Sequence, residues 1–224
     1  MHVLLSGVVG STAYGLNHAG SDVDRLGVYA VPTVELHGLH RPRESRVTTD
    51  PDSTHHEAAK AVRLILGGNP TASEILWLPD DLYEVRTPLG DELIGLRESL
   101  LSARAVRSAY LGYATQQFRK LQSRTDQQGG GDTRARSLKH ARHLVRLLAQ
   151  SVELHRTGRL TIRLADPQHV RSQSERILAD PAVGEELIAQ AEAAFDRPGA
   201  LPEHPDEAAA ESWLRRVRRT FYTV

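Results

Sequence analysis

The chain opens on an apolar run at residues 2–9 (HVLLSGVV), the pattern of a buried strand, broken at Gly10. Thr12 to Leu16 predicts a short turn or helix and Asn17 to Ser21 a polar loop. A second strand is then expected to begin at Asp22 and run through Leu26, Val28 and Ala30 before stopping at Pro32. A short, weakly apolar strand is expected over about Ser45 to Asp50. From about Thr54 to Leu66 the apolar spacing becomes helical, with Asp52 or Ser53 placed to cap that helix. Gly67-Gly68 ends it, and Asn69-Pro70 opens the next as cap and first-turn proline.

The second half carries a helical period almost throughout. Val106, Tyr110, Tyr113, Ala114, Phe118 and Leu121 recur at helical spacing between Glu98 and Arg124, so the tyrosines there are expected in the core. Gln127 to Thr133 (QQGGGDT) holds three glycines and no apolar residue, the composition of a mobile loop or hinge. In the next helix, about Arg134 to His155, Leu138, Ala141, Val145, Leu148 and Val152 share a face. Lys139, Arg142, His143 and Arg146 fall opposite, as a basic stripe or a merely solvated one. An extended LTIRL piece follows Gly158. Helical segments are expected around Arg171 to Ala179 and Gly184 to Phe195, then a proline-broken linker and a final helix. The expected class is α+β: a small mixed-sheet domain over residues 1–95 followed by a helical domain over 96–224.

Composition narrows the chemistry. The chain has no cysteine, which excludes disulfides, thiolate catalysis and thiolate-bound zinc and leaves carboxylates and histidines. It has no long apolar run and no signal-like start, so it reads as soluble and cytoplasmic, without a membrane partner. The net charge is zero, but residues 1–95 carry 7 basic against 13 acidic side chains and residues 96–224 carry 21 against 15. An acidic half followed by a basic one would suit an enzyme that handles a polyanion. Arginine-rich usage, with three lysines among 28 basic residues, is the plainer account.

The chemistry concentrates in VVGSTAYGLNHAGSDVDRLGVYAVP, residues 8–32. On a strand, Asp22 and Asp24 would point the same way with Val23 turned to the core. Two such carboxylates repel each other unless a hard cation with oxygen ligands, Mg²⁺ above all, lies between them. The preceding Gly10-Ser11 turn offers close approach of backbone N–H groups and a hydroxyl donor, the chemistry of a phosphate cradle. Together they suggest a nucleoside triphosphate.

Gly10-Ser11 followed at this spacing by Asp22-Val23-Asp24 resembles the signature of the DNA polymerase β type nucleotidyltransferase superfamily. The fuller string GSTAYGL…SDVDRLGVYAVP is similar to its branch of predicted nucleotidyltransferases associated with RNA ligases and RNA repair. The resemblance implies a third metal-binding carboxylate ahead of the first long helix. Asp52 matches best, its role open between ligand and helix cap, with Asp50 and Glu57 as substitutes. Where the family shows a basic-aromatic pair this chain has Lys60-Ala61, so Lys60 alone carries over. NPTASEIL resembles a family segment that makes Asn69, Pro70 and Glu74 framework. KHARHLVRLL…ELHRTGRL resembles its second motif, placing His140, His143 and Arg146 among nucleotide contacts.

The expected function is therefore transfer of a nucleotidyl group from an NTP, ATP included, to a hydroxyl acceptor. Two Mg²⁺ ions, with Mn²⁺ as the substitute, would be held by Asp22, Asp24 and Asp52, and Gly10 and Ser11 would cradle phosphates. By the resemblance the acceptor is an RNA end. The alternatives are a protein or small-molecule acceptor, or a nucleotide-binding module without catalysis. Oligomeric state is not encoded in any feature of the sequence.

Overall fold

A computed structural model describes residues 1–125 and 131–222. Most of the expected glycine loop, residues 127–130, lies outside the described residues, and Gly131 to Thr133 begin a helix instead. The chain divides into two compact units. One comprises residues 1–102, 162–164 and 204 onward; the other comprises 103–161 and 165–203.

The first unit is built on β1 (His2–Val8), β2 (Arg25–Ala30), β3 (Ser45–Thr49), β4 (Asp52–Glu57) and β5 (Tyr83–Arg86). They form one mixed sheet in the order β3-β4-β2-β1-β5. β1 is antiparallel to both β2 and β5, while β2 and β4 run parallel, with Arg25 beside Ser53 and Tyr29 beside Glu57. β3 is the antiparallel edge strand of the pair it forms with β4. Between these strands lie α1 (Gly10–Tyr14), α2 (Ala58–Leu66) and α3 (Pro70–Glu74), and α4 (Pro88–Gly95) follows β5. Leu4, Leu5, Val28, Ile65 and Leu93 supply the core.

Two expectations change here. β2 begins at Arg25, so Asp22 and Asp24 precede the strand rather than lie on it, and Val23 is 40% exposed instead of core. The segment read as the start of a helix, Asp52 to Glu57, is β4, and α2 starts six residues later than Asp52. DSTHHE has no apolar alternation to announce a strand; pairing with β2 on one side and β3 on the other supplies the backbone partners that make it one.

The final helix α9 (Glu207–Thr220) belongs to this unit. Trp213 is fully buried, and its indole N–H donates to the Leu89 carbonyl at 2.8 Å. Arg218 makes a two-pronged ion pair with Glu57, at 2.5 Å to Oε1 and 3.0 Å to Oε2.

The second unit consists of α5 (Ala103–Thr125), α6 (Gly131–Thr157), α7 (Pro167–Ala179) and α8 (Pro181–Phe195), with α6 packed against the other three. That central position overturns the expected two-faced helix: residues 144–148 are all buried, including Arg146. Tyr110 is core as expected, whereas Tyr113 is exposed. LTIRL forms no strand, although Leu160 and Ile162 are buried. Asp166, Asp180 and Asp206 cap α7, α8 and α9, each accepting a backbone N–H. No helix among the described residues is long and apolar enough to cross a membrane.

Candidate active site

The turn after β1 is where glycine is required. Gly10 has φ +69°, a left-handed conformation, and a β-carbon there would lie 2.2 Å from Oδ2 of Asp24. The backbone makes the same connection, since the Val9 N–H donates to the Asp24 carbonyl at 2.9 Å. The Gly-Ser turn and the second aspartate are thus one packed object. Asp24 is part-buried within it and Asp22 is exposed to solvent.

The helix that follows is short and has no side-chain cap, so it is held from outside. Its last residue, Tyr14, is buried, and its hydroxyl lies 2.6 Å from both carboxylate oxygens of Glu74, which is 1% exposed. Glu74 ends α3, whose start is fastened by Asn69 accepting the Ala72 N–H, with Pro70 in the first turn. Asn69, Pro70 and Glu74, expected as framework, connect to the turn through Tyr14, a partner the sequence did not single out. The Tyr14 carbonyl also accepts the Leu164 N–H at 3.3 Å.

Asp52 is exposed and opens β4. It caps no helix: the cap of α2 is Glu57, which accepts the Ala59 N–H at 2.9 Å. Because Arg25 pairs with Ser53, the residues one step earlier on the two neighbouring segments are Asp24 and Asp52. Of the substitutes, Glu57 is committed to Arg218, and Asp50 lies in the turn between β3 and β4. Lys60 sits in the first turn of α2, near enough to His56 to push that imidazole's pKa down, second to the effect of burial. Lys60, Asp24 and Asp52 all belong to the sheet unit.

Arg25, another residue the sequence did not single out, pairs with Glu84 at 2.8 Å and lies 3.4 Å from the Val23 carbonyl. It ties the Asp22-Val23-Asp24 segment to the far edge of the sheet. Gly27 makes room for His55, since a β-carbon would stand 2.3 Å from the imidazole Cδ2. His55 and His56, expected on a helix, lie on β4 and therefore on opposite faces.

In the helical unit, His140 Nδ1 is 2.7 Å from Gln117 Oε1. The guanidinium of Arg146 donates to Gln150 at 2.6 Å and lies 3.1 Å from His143 Nδ1, while Gln150 donates onward to the Thr161 carbonyl. Burial, then the charges of Arg146, His140 and Lys139, push the His143 pKa down to about 3, so its ring is neutral. Arg146 works inside a packed hydrogen-bonded cluster rather than on a basic outer stripe.

No three histidine or carboxylate side chains among the described residues come together to hold a metal by themselves. The donor set nevertheless fits magnesium arriving with a nucleotide, because that ion usually takes one or two protein carboxylates and completes its shell with phosphate oxygens and water.

Residues 1–193 match the RNA repair pathway DNA polymerase beta family, RlaP, so the chain belongs to that family of polymerase β-like nucleotidyltransferases. No individual curated protein matches it in sequence.

Proposed function

We propose that the protein transfers a nucleoside monophosphate from a nucleoside triphosphate, ATP among them, to a hydroxyl at an RNA end. The observation that supports this most is the contact of Gly10 with Asp24, which joins the Gly-Ser turn to an acidic pair. In this reading Asp22 and Asp24, with Asp52 as the third carboxylate, hold Mg²⁺, for which Mn²⁺ can substitute. Held by these carboxylates, Mg²⁺ would supply a lowered pKa for the attacking hydroxyl and charge stabilisation for the leaving pyrophosphate.

The chain's own groups do the positioning. Backbone N–H groups of the turn and the Ser11 hydroxyl donate to the β- and γ-phosphates, leaving the α-phosphorus open to in-line attack. Gly10 lets the phosphates approach without displacing Asp24. Glu74, through Tyr14, holds the turn in place, and Lys60 adds positive charge on the same unit.

Incubation with labelled NTPs and Mg²⁺, with and without RNA or DNA ends, tests the proposal. Label that depends on RNA and disappears in Asp24→Asn is expected. Label on DNA, on protein or on a small molecule, or nucleotide binding without turnover, overturns the RNA assignment.

A further inference from the structure

The sheet unit is acidic, yet three of the seven basic residues in positions 1–95 fall within six residues of one another: Arg41, Arg43 and Arg46. All three are exposed, and among the described residues none is paired with a carboxylate. The other three arginines of residues 1–95 are spent on ion pairs: Arg25 with Glu84, Arg63 with Glu44, and Arg86 with Asp80 and Asp91.

The backbone beneath these three arginines is held firmly. The Tyr29 hydroxyl donates to the Arg43 carbonyl, the Glu57 N–H donates to the Glu44 carbonyl at 2.9 Å, and the Glu44 side chain is gripped by Arg63. Arg46 lies 5.9 Å over the ring of Tyr29. The segment continues as β3, whose outer edge has no strand beside it among the described residues and whose Val47 is 67% exposed. At the far end of that strand, Thr49 pairs with Asp52. A five-residue strand spans about 16 Å at the usual rise of ~3.3 Å per residue, enough for a few nucleotides between the arginines and the Asp52 end.

From this we infer that Arg41, Arg43 and Arg46 form a docking edge for single-stranded RNA, which runs along β3 with its phosphates on the arginines. The inference rests on the proposed transfer to RNA and names where the acceptor strand lies. Charge complementarity carries it: cations left unpaired on an acidic body, on a fastened segment, match a polyanion better than an apolar or cationic partner.

The test is the salt dependence of binding of a short fluorescent single-stranded RNA to the full chain. Each phosphate contact contributes about 0.7 to the slope of log affinity against log salt for single strands. The triple variant R41A/R43A/R46A is expected to flatten the slope by about 2. Between ~50 and ~200 mM salt, the wild type then loses about twentyfold more affinity than the variant. KM for the RNA acceptor should rise while KM for the NTP stays unchanged, and R41K/R43K/R46K should restore the slope. An unchanged slope overturns the docking edge, as does loss of binding to anionic vesicles or to a protein with RNA binding intact. RNA binding with the expected slope but no transfer leaves the edge standing and sinks the transferase reading. A wild type that transfers nucleotides but binds no RNA does the reverse.

Discussion

Gly10 and Asp24 meet so closely that the carboxylate of one occupies the space a side chain on the other would need: 2.2 Å separates Oδ2 from the position of a β-carbon at residue 10. A motif that in sequence is two fragments fourteen residues apart is, in space, a single contact. Gly10→Ala is therefore expected to do two things. It imposes a left-handed conformation on alanine, at a cost of about 1–2 kcal/mol, and it pushes Asp24 aside. Displacement of a reacting group by ~1 Å can cost about a hundredfold in rate. Gly20→Ala is the control: φ is +88° there but nothing lies within 4 Å, so it should lose stability without comparable loss of nucleotidyl transfer. Urea unfolding and labelled-NTP turnover on both variants check this.

Tyr14→Phe removes the hydroxyl that bonds the buried Glu74 carboxylate. A hydrogen bond to a charged group is worth about 1.5–3 kcal/mol, and this one steadies the turn bearing Ser11. The variant should unfold at lower urea and show a raised KM for NTP, measured by initial rates across NTP concentrations. Glu74→Gln keeps an acceptor for the tyrosine and should retain more of both properties than Glu74→Ala.

What could be read from the sequence was local. The apolar run of β1, the Gly-Ser turn, the Asn69-Pro70 start of α3 and the final helix each carry their signal in neighbouring residues. β4 does not: Asp52 to Glu57 is polar throughout, and it is a strand because β2 and β3 pair with it. The same error misplaced the start of α2, because an aspartate before a helical stretch looks like a cap, whereas the cap is Glu57. Tyr83 to Arg86 is too short to show a period and acquires its role as β5 at the sheet edge. Within the candidate site, Asp24 and Gly10 were legible as types, but their contact and the Tyr14–Glu74 bond join residues up to sixty positions apart. The burial of Arg146 ran against the usual solvation of arginine and needed α5, α7 and α8 around it.

The Glu57–Arg218 pair joins β4 to α9, with only 5% and 19% of the two side chains exposed. Removing one partner of such a pair costs about 3–5 kcal/mol because the other charge stays buried alone. Arg218→Met should approach that loss in urea unfolding. Glu57→Gln should lose less, since the amide oxygen can still cap α2 through the Ala59 N–H. The double variant Glu57→Gln/Arg218→Met should be more stable than the sum of the single losses predicts, because it leaves no unpaired charge.

His143 makes the fold of the helical unit sensitive to acid. Its folded pKa is pushed down to about 3 from an ordinary value of 6.5, by burial and by the neighbouring Arg146, His140 and Lys139. Below pH 6.5 the unfolded chain binds a proton at this ring that the folded chain refuses, so stability is complete above that pH and falls as pH drops toward 3. The slope is at most about 1.4 kcal/mol per pH unit, or about 2 kcal/mol between pH 6.5 and 5. His55 and His56, both lowered chiefly by burial, add to the loss in the same direction. Urea unfolding at pH 7, 6 and 5 should show the wild type losing more stability than His143→Gln, whose amide cannot titrate. Parallel losses in the two proteins would show that the folded ring takes up its proton as readily as the unfolded one.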